Sequence, residues 1–170
     1  MFKKIVLALA VAIALPVAAA AQKFGTVDTQ SIFSDMPETA AAQTQLTEAS
    51  KKYEEEFKKL QDEVDKKYQE FQALAADTPD AIKERRMQEV QEFAQKAERF
   101  RQTATEDLQK QQNQLMAPIQ QKLTDAIKAV GQEGGYTMIL PVEVPIYTGA
   151  TCTDVTAEVR TKLGLKAKAN

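Results

Sequence analysis

The side chains of this sequence with chemical potential are carboxylates, amines and a single thiol, and their spacing does not build an active site. Glu54-Glu55-Glu56 and Asp62-Glu63 are neighbouring carboxylates of the type that general acid–base chemistry uses. Lys51, Lys52, Lys58, Lys59 and Lys66 interleave with them. That pattern is a solvated helix surface laced by ion pairs rather than a catalytic pair. Gly131-Gln132-Glu133-Gly134-Gly135 is glycine-rich but lacks the Lys-Ser/Thr that follows in a phosphate-binding loop; it reads as a helix stop and turn. The chain contains no histidine. The commonest general base and the commonest metal ligand are therefore missing, and serine and threonine hydroxyls have no imidazole to activate them. No Ser-x-x-Lys occurs either. The residues accordingly point to no catalytic, cofactor-binding or metal-binding set, and to a protein that is not an enzyme.

Cys152 stands alone. It is either buried and inert or paired with another chain, because one thiol cannot form an internal disulfide. An export signal makes this informative. Lys3 and Lys4 precede an apolar run from Ile5 to Leu15, Pro16 breaks it, and Ala19-Ala20-Ala21 supplies the small residues of a signal-peptidase site. The run is too short for a stable membrane-spanning helix, and the residue after the site is Gln22 rather than the cysteine that lipid attachment needs. The expectation is a signal peptide over 1–21, a mature chain from Gln22 and a periplasmic location; the competing reading is a retained anchor. In that oxidising compartment stability must come from packing rather than from disulfides.

Composition narrows the class further. The 170 residues are 27% charged, with six glycines, six prolines and no tryptophan, which favours long helices over a turn-rich sheet. Loss of Lys3 and Lys4 takes the formal charge from −2 to −4, so nucleic acid is not an expected partner.

The elements that carry these residues follow from punctuation. Phe24, Thr26 and Asp28 alternate with Gly25 and Val27 as a short strand. Thr29 is suited to cap a brief helix bearing Ile32 and Phe33, and Pro37 to begin another. No glycine or proline interrupts Glu38 to Ala76. In Asp77-Thr78-Pro79-Asp80, Thr78 suits an N-cap, Pro79 a first helical residue and Asp80 the positive end of the dipole. A second helix is expected from Pro79 towards Val130, broken at Pro118 and stopped at Gly131. Tyr136–Leu140 and Val144–Tyr147 read as strands, with Pro141 and Pro145 marking edges or bends. Asp154 is suited to cap a last helix with Val155, Val159 and Leu163 on one face, ended by Gly164, and the tail from Lys166 reads as loose.

The long segments share a seam. Leu46, Ser50, Tyr53, Phe57, Leu60, Val64, Lys67, Phe71 and Leu74 alternate spacings of four and three, as do Arg86, Val90, Phe93, Ala97, Phe100, Ala104, Asp107 and Gln111. This is coiled-coil spacing. Folding the two about residues 77–80 places opposite one another positions whose numbers sum to 157: Val64 with Phe93, Leu60 with Ala97, Phe57 with Phe100 and Tyr53 with Ala104. Lys67 then faces Val90, Phe71 faces Arg86 and Ser50 faces Asp107. These polar layers predict an arm that bends or frays, since each forgoes roughly 1.5–3 kcal/mol of large-side-chain burial. Beyond Asp107 the apolar positions drift to Leu108, Leu115, Ile119, Leu123, Ile127 and Val130, a phase shift expected where the helix packs on the strands and last helix instead. The fold class is therefore mainly α. A long antiparallel coiled-coil hairpin, 37–116, projects from a small α+β body of short strands made by 22–36 and 117–170. Tyr68, Ile82 and Met87 lie beside the seam and either widen it or offer soft contacts to another chain. Thr26, Ile139 and Ile146, on the strands, are the candidate positions for subunits to join.

In order along the chain, Phe24-Gly25-Thr26-Val27-Asp28, Gln30-Ser31-Ile32-Phe33, the charged hairpin, Ile146-Tyr147 and Asp154-Val155-Thr156 resemble the Skp/OmpH family. The resemblance covers essentially the whole mature chain. It implies an ATP-independent periplasmic holdase without cofactor: a homotrimer joined through a barrel-like core, with three arms enclosing a cavity for unfolded outer-membrane proteins. Membrane contact would come only through those clients. The family's best-known members have basic arms, whereas this chain is acidic, with a pI near 5.4. A coiled-coil spacer or adaptor of the cell envelope is the alternative reading.

Overall fold

The structure is a computed structural model that describes residues 22–166. The expected signal peptide over 1–21 and the tail from Ala167 lie outside the described residues. Seven elements follow in chain order: β1 (Phe24–Val27), α1 (Thr29–Asp35), α2 (Pro37–Gln72), α3 (Asp80–Glu133), β2 (Met138–Pro141), β3 (Thr153–Asp154) and α4 (Thr156–Lys162). The molecule is mainly helical, as the spacing implies.

Both neighbours of β1 run parallel to it, in the order β2-β1-β3. Gly25 lies opposite Ile139 on one side and Thr153 on the other, and Thr26 opposite Leu140 and Asp154. Parallel neighbours need a crossover; here the crossover from β1 to β2 is the helical hairpin itself. The arm is thus an extended loop of a β-α-β unit, and its two roots must emerge side by side. Pro141 closes β2 on the sheet edge, where its missing N–H costs no ladder bond, and Val142 N donates to Val27 O at 3.0 Å just beyond it.

The body core is formed by Val27, Ile32, Met36, Ala42, Ile119, Leu123, Ala126, Val130, Val155 and Val159, with Leu115, Ile127, Ile139 and Leu163 packed against it. Ile119, Leu123, Ala126 and Val130 alternate spacings of four, three and four, so the last part of α3 presents one stripe to the sheet and α4. This is where the drifted apolar positions go. Polar ties close the body. Asp28 N donates to Thr156 Oγ1 at 2.9 Å, and Val155 N to Thr26 O at 2.8 Å. The buried Arg160 donates from Nη1 to Asp35 Oδ2 at 2.7 Å and from Nε and Nη2 to Lys166 O. One guanidinium fork therefore joins α4, α1 and the segment after α4.

Several boundaries differ from the sequence expectation. Asp28, not Thr29, caps α1, its carboxylate accepting from Ser31 N at 2.8 Å. Pro79 rather than Thr78 precedes the first residue of α3. Pro118 does not break α3: the helix continues through it, and both Pro118 and Gln114, whose carbonyl loses its partner, are exposed residues. Gly131 does not stop α3 either. The helix runs to Glu133 and closes through Tyr136 N to Gly131 O at 2.9 Å, with Gly135 at φ 65° making the left-handed turn. Val144–Tyr147 is not a strand; β3 is the two-residue Thr153–Asp154. Gly164, at φ 73°, follows the end of α4 as expected.

Candidate functional site

Helices of 36 and 54 residues, α2 and α3, pack along each other. At about 1.5 Å per residue α2 is about 54 Å long. Lys122 of α3 forms an ion pair with Glu38 at the start of α2, so the surplus of α3 runs on into the body. Along the seam Leu60, Ala97 and Ala104 are buried and their apolar neighbours Phe57, Val64 and Phe100 are half-buried. The Tyr53 ring lies 6.0 Å from that of Phe100, and Tyr53 Oη donates to Asp107 Oδ2 at 3.3 Å. Those two partners flank position 104, which the constant sum sets against Tyr53. Asp107 is thus engaged by Tyr53, while Ser50 donates to Glu54 instead. Partial burial, and then the Asp107 charge, push the Tyr53 phenol above its ordinary pKa.

Towards the tip the seam becomes ionic. Lys67 lies 3.6 Å from Glu89 across the helices and 3.5 Å from Glu70 along its own; Arg86 lies 2.8 Å from Glu89 and 3.9 Å from Glu70. Arg85 adds a contact to Glu89 at 3.5 Å. Lys67 also sits over the Phe93 ring, 5.8 Å from its centroid. The Arg86 hydrogen bond, with the nearby Lys67 and Arg85 charges, holds the Glu89 carboxyl below the usual carboxylate range. Lys67 and Arg86, read from sequence as faults in the seam, are here members of one cross-helix network.

The carboxylates Glu54, Glu55, Glu56, Asp62 and Glu63 are all exposed on α2, and Glu56 pairs with Lys59 at 3.2 Å. None is held against another in a cleft. Between the helices, Gln43, Leu46, Ser50, Glu54, Thr105 and Leu108 border one open groove of about 610 Å³. Phe57, Lys58, Gln61, Asp62, Val64, Asp65, Ala94, Ala97 and Glu98 border a second of about 650 Å³.

The candidate contact residues do not gather into one patch. Tyr68 and Ile82 are 47% and 46% exposed, and Met87 is half-buried. Tyr68 and Met87 each lie seven residues tipward of a residue bordering the second groove, Gln61 and Ala94 respectively, so they continue that flank. Ile82 lies about 140° round the helix from Met87. The body candidates also separate. Thr26 is buried in the central strand, Ile139 packs on the core, and Ile146 is fully exposed. Ile146 is one of several exposed apolar residues of the body, with Val142, Val144, Tyr147, Phe24 and Met138. Cys152 is half-buried in a cavity of about 240 Å³ that Phe24, Met138 and Tyr147 also line. Apart from Ile146, these exposed residues were not among the sequence candidates. Val144-Pro145-Ile146-Tyr147 has the apolar character of a strand, but only the structure shows that Val144, Ile146 and Tyr147 stay exposed.

The described residues contain no helix long and apolar enough to cross a membrane and no cluster of histidine, cysteine or acidic side chains able to hold a metal. Residues 23–163 match the family model described as outer membrane protein (OmpH-like). Three relatives, each named chaperone protein Skp, are similar over most of their length. That of Pectobacterium atrosepticum is 26% identical over 82% of this chain and 84% of its own. That of Yersinia enterocolitica is 26% identical over 89% and 92%, and that of Photorhabdus luminescens 26% over 92% and 96%. With the family model spanning nearly every described residue, from β1 through the hairpin to the end of α4, this chain belongs to the OmpH-like outer membrane protein family.

Proposed function

We propose that this protein is an ATP-independent holdase chaperone of the bacterial periplasm, which binds unfolded outer-membrane proteins and prevents their aggregation. The observation that carries the reading is the arm. It is a long projecting hairpin whose apolar residues stay half-covered beside open grooves. Dispersed, shallow contacts suit a binder of many sequences better than one shaped site does. Relatives named as chaperones, aligned over 82% to 92% of this chain, support the same reading.

In this reading residues 22–36 and 117–170 form an oligomerisation body and 37–116 an arm, with the signal peptide 1–21 removed on export. The strands and exposed apolar residues near Ile146 are where three copies join, and Tyr68, Ile82 and Met87 contact clients. Tethering three arms to one base raises the effective concentration of weak surfaces around a single client.

The test is aggregation of unrelated denatured proteins, an outer-membrane β-barrel among them, followed by light scattering without nucleotide and alongside solution mass. Suppression near stoichiometry by a trimer is the expected result. Unchanged aggregation favours an envelope spacer that binds one folded partner.

A further inference from the structure

We infer that one flank of the arm is a docking groove for extended client segments that combine apolar and basic residues. The inference rests on the holdase reading and specifies the chemistry of its client. The groove beside Phe57 and Val64 is open because two helices cannot cover both sides of their seam, and those side chains remain half-exposed in its floor. Its rim is unequal in charge, with Asp62, Asp65 and Glu98 set against the single Lys58. Glu98 is engaged by Arg101 at 2.7 Å, whereas among the described residues no cation is in ion-pair contact with Asp62 or Asp65. An extended segment laid along the groove would cover the apolar floor and bring its own cations to those two carboxylates. A segment rich in Asp or Glu would meet like charge. The groove therefore selects cationic, apolar stretches of an unfolded chain, the pairing that charge complementarity favours.

The experiment uses the mature protein, its D62N/D65N variant and two labelled unfolded peptides of equal length and apolar content, one carrying lysines and one glutamates. Fluorescence anisotropy at low salt should show tighter binding of the lysine peptide. D62N/D65N should reduce that preference about fivefold, the scale of two exposed ion pairs, with unchanged helix content by circular dichroism. A photocrosslinker at Gln61 should capture the lysine peptide; one at Glu63, about 200° further round the helix, should not. Equal binding of both peptides, a preference that survives D62N/D65N, or capture from Glu63 overturns the groove assignment while aggregation suppression leaves the holdase reading standing. A change of oligomer mass in D62N/D65N with the preference intact identifies a second copy as the occupant and equally counts against it. Binding of neither peptide, together with loss of aggregation suppression, overturns both.

Discussion

The body and the arm are built on opposite principles, although one pair of helices runs through both. In the body Val27, Ile32, Met36, Val155 and Val159 are each under 2% exposed, drawn from a strand, two short helices and the turns between them. In the middle and outer arm the deepest apolar residues are Leu60, Ala97 and Ala104, at 6% to 8%. Complete burial of a large side chain contributes roughly 1.5–3 kcal/mol. The body collects that contribution several times over in a small volume; the arm collects it in isolated layers and closes the tip with half-buried ion pairs. Free energy of opening should therefore fall steeply from base to tip. The proposed client-binding end is thus the low-stability end, from which binding elements are commonly drawn.

Substitutions should separate the two regions in order of size. Ile32→Ala removes a wholly buried side chain where sheet, α1 and α3 meet, and is expected to cost about 3 kcal/mol in body stability. Chemical denaturation with hydrogen exchange read at Thr26 and Val27 measures it, and a loss confined to the arm would invert the comparison. Arg160→Ala should cost about 2 kcal/mol, because it leaves Asp35 and the Lys166 carbonyl without the guanidinium. Arg160→Lys should recover only part of this, since an ammonium cannot reproduce the fork.

Leu60→Ala is expected to cost about 1–2 kcal/mol, less than the body change because the site stays near solvent. Faster exchange should appear in α2 and α3 around it, with the strands unaltered. The smallest effect belongs to the tip. The folded-state pKa of Glu89 is depressed, so its contribution is present above the unfolded value and lost as pH falls through the depressed one. Tip amides should exchange faster, relative to the body, as pH drops below the usual carboxylate range, and Glu89→Gln should flatten that dependence. An unchanged profile would mean that the Lys67–Glu70–Arg86–Glu89 network does not hold the tip closed.

Legibility in the sequence followed the same division. The hairpin was readable because coiled-coil contacts repeat: one constant sum, centred on a turn found from its own residues, brought Tyr53 to the part of α3 where Phe100 and Asp107 are found. The drift at Leu115, Ile119 and Leu123 announced a change of packing partner. The body was harder, because its pairings are parallel and distant in sequence. A two-residue β3 carries no periodic signal, whereas the run Val144–Tyr147 has β-like composition without pairing as a strand. Pro118 and Gly131 looked like breaks because propensity counts their local cost. The exposure of Gln114 and Pro118 and the turn closed by Tyr136 N are details of context. The tip network was visible only as polar interruptions, since pairing Lys67 with Glu89 requires knowing which sides of two helices face each other.

The proposed division, in which the body sustains the fold and the arm holds the client, is tested by hydrogen–deuterium exchange with and without an unfolded outer-membrane protein. New protection is expected in α2 and α3 between about Leu46 and Leu108, strongest beside Phe57 and Val64, with β1 and α4 unchanged. Protection gained in the strands and α4, with the hairpin as exposed as before, would contradict it.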